Sequence, residues 1–144
     1  MNKTEIRIFF DTDVVLDFFS GREPFAGQAA ILFTLAEEGK LTACVSALTI
    51  ANCYYILKRV STHSQVMEKL MQFSTIAEIL DVRKENIMDA LRSGFKDFED
   101  AIQYEVARGK PGMTAIITRN IKDYRKSNIA IMTPEEYLRM IGVM

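Results

Sequence analysis

The chain has 144 residues, of which 49% are hydrophobic and 26% charged, with a formal net charge of -1. That length is enough for one domain with a real core, residues 1–144, and no run approaches the ~20 apolar residues of a membrane span, so no membrane partner is expected. A balance so close to neutral argues against a surface coated in basic residues for general nucleic-acid binding, while leaving local contact with nucleic acid open.

The first residues, Met1 to Arg7, lead into a short apolar run without the longer hydrophobic stretch of a signal peptide, and a cytoplasmic location is expected. Residues 6–10 read as a buried strand stopped by Asp11, Thr12 and Asp13. Residues 14–19 can make a turn or two of helix before the Ser20 to Pro24 break, and 25–38 form a helix ended by Gly39. A second strand, 41–45, precedes Ser46, which can cap a helix to about residue 59; that helix is apolar almost all round except at Asn52 and is predicted to be largely buried. Cys44 and Cys53 lack Cys or His partners at metal-ligand spacing and read as buried, reduced thiols.

Thr62, His63, Ser64 and Gln65 fit a capping box that opens a helix to about residue 73 and leaves His63 exposed. A third strand at 76–80 ends in Asp81, and a helix over 84–93 is predicted to close at Gly94. Another helix spans 97–108 and stops at Gly109, Lys110, Pro111 and Gly112. Strands at 114–117 and 128–131 follow, and Thr133, Pro134 and Glu136 supply the cap, first-turn proline and capping-box acid of a last helix to residue 141. Alternating strands and helices imply a parallel sheet with helices on both faces, a three-layer α/β/α domain. Ligands in such folds bind beyond the carboxyl ends of the strands where the winding reverses, and Asp11 and Asn120 both follow strands at that edge.

In the helix beginning at Asp97, steps of 100° put Asp97 and Asp100 about 60° apart on one flank and aim Glu99 away from both. Two partly desolvated carboxylates repel unless a cation lies between them, and hard oxygen ligands suit Mg²⁺ or Mn²⁺. With Asp11 closing the site, such an ion would polarise a phosphodiester and acidify a bound water. The competing reading is a solvated helix start, because the macrodipole favours acids in a first turn. Asp13, Asp17 and Asp81 read as local turn, surface or strand-end groups. No Ser-His-Asp arrangement or glycine-rich phosphate loop is present.

Five segments, taken together and in this order, resemble the PIN-domain proteins of bacterial toxin-antitoxin systems. They are Ile8-Phe9-Phe10-Asp11-Thr12-Asp13 with Asp17; Ser46 to Asn52; Asp97-Phe98-Glu99-Asp100-Ala101; Thr118-Arg119-Asn120-Ile121-Lys122-Asp123-Tyr124; and Thr133-Pro134-Glu135-Glu136. The resemblance implies a five-stranded parallel sheet in the order 3-2-1-4-5, cleavage of single-stranded or structured RNA with Mg²⁺ or Mn²⁺, a cognate antitoxin and a homodimer. By position, Asp11 and Asp100 match the first and third acids of the family, whereas the second and fourth fall on Asn52 and Asn120, which bring no charge. Asp97 or Asp123 would replace what is missing. An alternative for Asn52 is a helix-helix hydrogen bond. Thr118 would fix a carboxylate rotamer or cap the strand end, and Arg119, Lys122, Arg125 and Lys126 would engage phosphates or form a solvated basic loop.

The expectation is therefore a ribonuclease in which Asp11, Asp97 and Asp100 hold the ion and Asn120 and Asp123 complete its shell. A catalytically weak RNA- or protein-binding module is the first rival, motivated by the two asparagines. A phosphoacceptor domain using Asp11, Asp13 and Asp81 is the second.

Overall fold

The computed structural model describes residues 5–124 and 127–144. Arg125 and Lys126 therefore lie outside the described residues. Five strands, β1 (Arg7–Phe10), β2 (Thr42–Ser46), β3 (Ala77–Leu80), β4 (Met113–Ile117) and β5 (Ala130–Met132), form one parallel sheet in the order β3-β2-β1-β4-β5. This is the order the resemblance implied. Parallel neighbours need long crossovers, and helices supply most of them. α1 (Thr12–Ser20) and α2 (Phe25–Glu37) carry the chain from β1 to β2, and α3 (Ala47–Leu57) and α4 (His63–Phe73) from β2 to β3. α5 (Lys84–Leu91) and α6 (Phe98–Gly109) lead to β4, and α7 (Pro134–Met140) follows β5. A 3₁₀ turn, Ile121–Tyr124, lies between β4 and β5 and had no signal in the sequence.

The sheet is covered on both faces, so its central strand divides its side chains between two cores. Ile8 and Phe10 pack with Val15, Leu32, Phe33, Cys53, Phe73 and Leu138 beneath α1 to α4 and α7. Phe9 faces the other way, toward Ile102, Val106, Ile116 and Tyr124 beneath α5 and α6. Helix starts follow the cap chemistry: the Ser46 hydroxyl accepts from the Thr49 amide at 3.1 Å, and both halves of the capping box close at Thr62/Gln65 and Thr133/Glu136. Both cysteines are buried and free, and burial pushes their thiols up to about 11 at Cys44 and about 12 at Cys53.

Two local expectations are corrected. Helix α3 is not largely buried: Thr49, Cys53 and Leu57 face the core, but Tyr55 is 69% exposed and Ile56 is exposed beside it. It covers only one side of the sheet, so its apolar outer flank stays in contact with solvent among the described residues. Helix α5 ends at Arg92, whose backbone is right-handed with φ of -91°, so Gly94 does not close it.

Because β2 and β3 lie on one side of β1 and β4 and β5 on the other, the winding reverses between β1 and β4. Asp11 and Thr118 stand directly beyond those two strands. Asp81 follows β3, which β2 separates from β1, and so is kept apart from the acids a phosphoacceptor site would need beside it.

Candidate metal centre

Asp11 is the N-cap of α1, with extended backbone at φ -69° and ψ 158°. Its Oδ1 accepts from the Thr12 amide at 2.8 Å, and its Oδ2 accepts from the Thr118 hydroxyl at 2.9 Å. Its own amide donates to the Ile117 carbonyl at 3.0 Å, so strand β4 and helix α1 together fix the carboxylate. Burial raises this carboxyl above the usual range; the bonds from Thr118 and Thr12 oppose the rise, and the charge of Glu99 adds to it.

Asp13, in the first turn of α1, is not a surface group. Its Oδ2 accepts from the Arg119 amide at 3.0 Å, and the Asn120 side-chain amide and Thr118 hydroxyl stand at 3.4 and 3.5 Å. Its Oδ1 is buried with no hydrogen-bond partner. Burial, reinforced by the charge of Asp11, pushes this carboxyl up to about 7. Asp17, one turn on, is buried as well, and holds Arg119 through two bonds of 2.6 and 3.2 Å. Its i,i+4 spacing from Asp13 was the signal that both acids face the same loop. The Arg119 guanidinium also stands 4.5 Å above the Phe25 ring, so it is committed to the protein rather than extended toward solvent.

From the other side of the sheet comes α6. Asp97 is its N-cap, extended at φ -111° and ψ 126°, and accepts from the Asp100 amide at 3.0 Å; it precedes the helix instead of lying on its flank. Asp100 is half-buried, and burial followed by the charges of Asp11, Asp97, Asp123 and Glu99 pushes its carboxyl up to about 7. Glu99 is half-buried and is held by two other helices. Its Oε1 accepts from the Asn52 side chain at 2.9 Å and from the Thr12 hydroxyl at 3.3 Å. A single-helix projection of α6 omits what lies on its other flank, and Asn52 of α3 and Thr12 of α1 are there to receive Glu99. Asn52 thus makes the helix-helix bond weighed as its alternative. Asn120, Lys122 and Asp123 are exposed along the loop and the 3₁₀ turn.

Beneath the acids lies a neutral network. Gln103 Nε2 donates to the Thr49 and Thr12 hydroxyls at 2.6 and 3.0 Å, those hydroxyls are 2.8 Å apart, and Ser46 donates to Gln103 Oε1 at 2.5 Å. A carboxylate only accepts, so Thr12 must donate to Glu99 and take its own bonds from Thr49 and Gln103. The network therefore runs in one direction and ends on Glu99. Opposite it, the Tyr124 hydroxyl is buried beside the Asp11 carboxylate, and burial, the charges of Asp11 and Asp100 and a hydrogen bond to Asp11 raise it.

These oxygens suit a hard divalent cation: all are carboxylate, amide or hydroxyl oxygens, and the Asp13 Oδ1 is buried and unpartnered. Among the described residues, no three acidic, histidine or cysteine side chains already stand as a metal-binding group. Mg²⁺ keeps several of its waters and needs few direct protein ligands.

A profile of the PIN domain matches residues 7–122. The chain belongs to the PIN-domain family. Solved structures similar in fold to this PIN domain include VapBC2 from Rickettsia felis bound to a DNA fragment from their promoter, at TM-score 0.65 and 18% identity, covering 88% of this chain and 97% of that one. A toxin-antitoxin complex from Klebsiella pneumoniae matches at TM-score 0.64 and 23% identity with the same coverage, 88% and 97%. VapC20 of Mycobacterium tuberculosis, a sarcin-ricin loop cleaving toxin, matches at 0.58 and 19%, covering 76% and 86%. No protein of curated function matches the sequence significantly. Among the described residues of the PIN domain, no helix is long and apolar enough to cross a membrane.

Proposed function

We propose that this PIN domain is a divalent-metal-dependent endoribonuclease and the toxin of a toxin-antitoxin pair, acting in the cytoplasm. What supports the reading is Asp11 and Asp13 beside the winding reversal and Asp100 facing them from α6: all three carboxyls are raised by burial, and the charge of Asp11 raises Asp13 and Asp100 further. Asp11 and Asp100 would hold Mg²⁺ or Mn²⁺, with Asp97, Asp123 and Asn120 completing its surroundings. When bound, the ion supplies Lewis acidity toward a phosphodiester and an acidified water. Thr118 and the Thr12 amide hold Asp11 in one rotamer. The buried Tyr124 hydroxyl bonds Asp11 and helps to hold its carboxylate. Lys122, with its sequence neighbours Arg125 and Lys126, supplies the positive charge for RNA phosphates; Arg119 would have to leave Asp17 to join them.

Partners follow the same reading. The similar chain from Klebsiella is described in a toxin-antitoxin complex, which supports a cognate antitoxin here. The exposed apolar side chains Tyr55, Ile56, Met67 and Met71 on α3 and α4 offer a surface for a second copy of the chain.

The test is cleavage of a mixed-sequence single-stranded RNA by the wild type and by Asp100→Asn, in Mn²⁺, Mg²⁺ or EDTA. Cleavage should require metal and fall at least about 10³-fold in the variant. Cleavage that persists in EDTA, or that the variant retains, contradicts the proposal. Inert but folded wild type with saturating metal would favour the RNA-binding module instead.

A further inference from the structure

We infer that the cleft between the starts of α2 and α7, walled on one side by Arg119, is a subsite for an unpaired guanine base of single-stranded RNA. The inference rests on the reading above of RNA as the substrate and names the base that the chain selects.

The cleft encloses about 390 Å³, within the range of small-ligand pockets, and is lined by Pro24, Phe25, Gln28, Arg119, Pro134 and Glu135. It adjoins the acids through one residue, since the Arg119 amide bonds Asp13 while the Arg119 side chain lines the cleft. Asp17 takes the Nε hydrogen and one Nη2 hydrogen of Arg119, which fixes the guanidinium plane. Of the five donors, both on Nη1 and the second on Nη2 are left over, so a fork of two parallel donors remains on the far edge without Arg119 leaving Asp17. Guanine carries the matching pair of adjacent acceptors, O6 and N7; adenine sets an amino group beside its N7 and meets the same fork with a donor. Guanine also presents two adjacent donors, N1–H and the N2 amino group, and the Glu135 carboxylate in the cleft wall is an acceptor for them. A bare phosphate in this cleft would face the Glu135 charge, whereas a base brings hydrogens to it. Phe25 is half-buried and supplies an aromatic wall, with Arg119 at 4.5 Å and the exposed Arg22 at 5.8 Å from its ring centroid. Aromatic rings set beside arginines suit the bases and phosphates of a single strand.

The experiment is fluorescence anisotropy of the purified full chain in EDTA with three fluorescein-labelled RNA decamers, uridine throughout except for a central guanosine, adenosine or uridine. Wild type is compared with Arg119→Lys and Phe25→Leu, and circular dichroism melts check that each is folded. Wild type should bind the guanosine decamer at least about 10-fold more tightly than the adenosine decamer. Lysine keeps a charge for Asp17 but has no planar fork, so Arg119→Lys should bring these two decamers to within about 2-fold of each other. Phe25→Leu should weaken the guanosine decamer about 5- to 10-fold. Cleavage of the same decamers with Mn²⁺ is measured alongside. A wild type that cleaves RNA but binds the decamers equally, or not at all, overturns this inference alone, as does a folded Arg119→Lys that keeps the guanosine preference. A guanosine preference that Arg119→Lys abolishes, in a wild type that cleaves nothing, keeps the subsite and removes the nuclease. Neither binding nor cleavage removes both.

Discussion

Two polar regions are buried side by side beyond the carboxyl ends of β1, β2 and β4, and only one of them is satisfied. In the neutral group of Thr12, Ser46, Thr49 and Gln103, every side chain has a partner and the bonds run in one direction. In the charged group of Asp11, Asp13, Asp100 and Tyr124, the Asp13 Oδ1 is buried without a partner. Chains rarely bury polar atoms unpaired, and this one satisfies Thr12 one residue away from the Asp13 oxygen that it leaves unpaired. The contrast separates scaffold from site: the first group is satisfied within itself, and in the second no lysine or arginine among the described residues forms an ion pair with Asp11, Asp13 or Asp100, although the Arg119 charge acts on Asp13.

Breaking the scaffold should give the largest loss of stability. Gln103→Leu leaves the Ser46, Thr49 and Thr12 hydroxyls buried without their amide, and the unfolding free energy in urea should fall by about 3 kcal/mol. Asp17→Asn attacks the boundary between the regions by releasing Arg119. Arg119 is 24% exposed in its side chain, so the loss should be about 2 kcal/mol, below that of a fully buried pair. Its Mn²⁺ affinity should also fall, because the Arg119 amide holds Asp13. A smaller effect is expected at Asp97, where alanine removes the cap of α6 for about 1 kcal/mol while asparagine, which caps as well, leaves stability nearly unchanged.

The charged group should respond to pH with the opposite sign from an ordinary paired acid. Asp13 and Asp100 titrate near about 7 in the folded chain, against an unfolded value of about 4. Between those values the folded state binds more protons, so in EDTA the melting temperature should decline as pH rises from about 4 to about 7 and then level off. Mn²⁺ should raise it more at pH 7.5 than at pH 5. Asp100→Asn, which removes a like charge, should melt about 2–4 °C above wild type in EDTA at pH 7.5. A rising trend with pH would mean that the acids are paired after all.

The scaffold and the site were not equally legible in the sequence. Strand order followed the motifs, and the caps at Ser46, Thr62 and Thr133 could be read from residue type because capping is local chemistry. Asp11 and Asn120 could be placed at the edge because strand ends are short-range features, whereas Asp100 came from the acidic helix start and the resemblance. Glu99, Asp13 and Asp17 could not, since each is defined by what approaches from another element: Asn52 from α3, and Arg119 and Asn120 from the loop after β4. A helical projection gives the direction of a side chain but not its neighbour. For the same reason the exposure of Tyr55 and Ile56 went unforeseen, because an apolar flank does not reveal whether anything covers it.

The most direct test is calorimetric titration of the metal-free wild type with Mn²⁺ at pH 7, in two buffers of different ionisation enthalpy. The account expects saturable binding that releases protons, since Asp13 and Asp100 give up the ones they retain near about 7, with affinity falling steeply in Asp11→Asn. No saturable heat at millimolar Mn²⁺, or binding unchanged in Asp11→Asn, would contradict it.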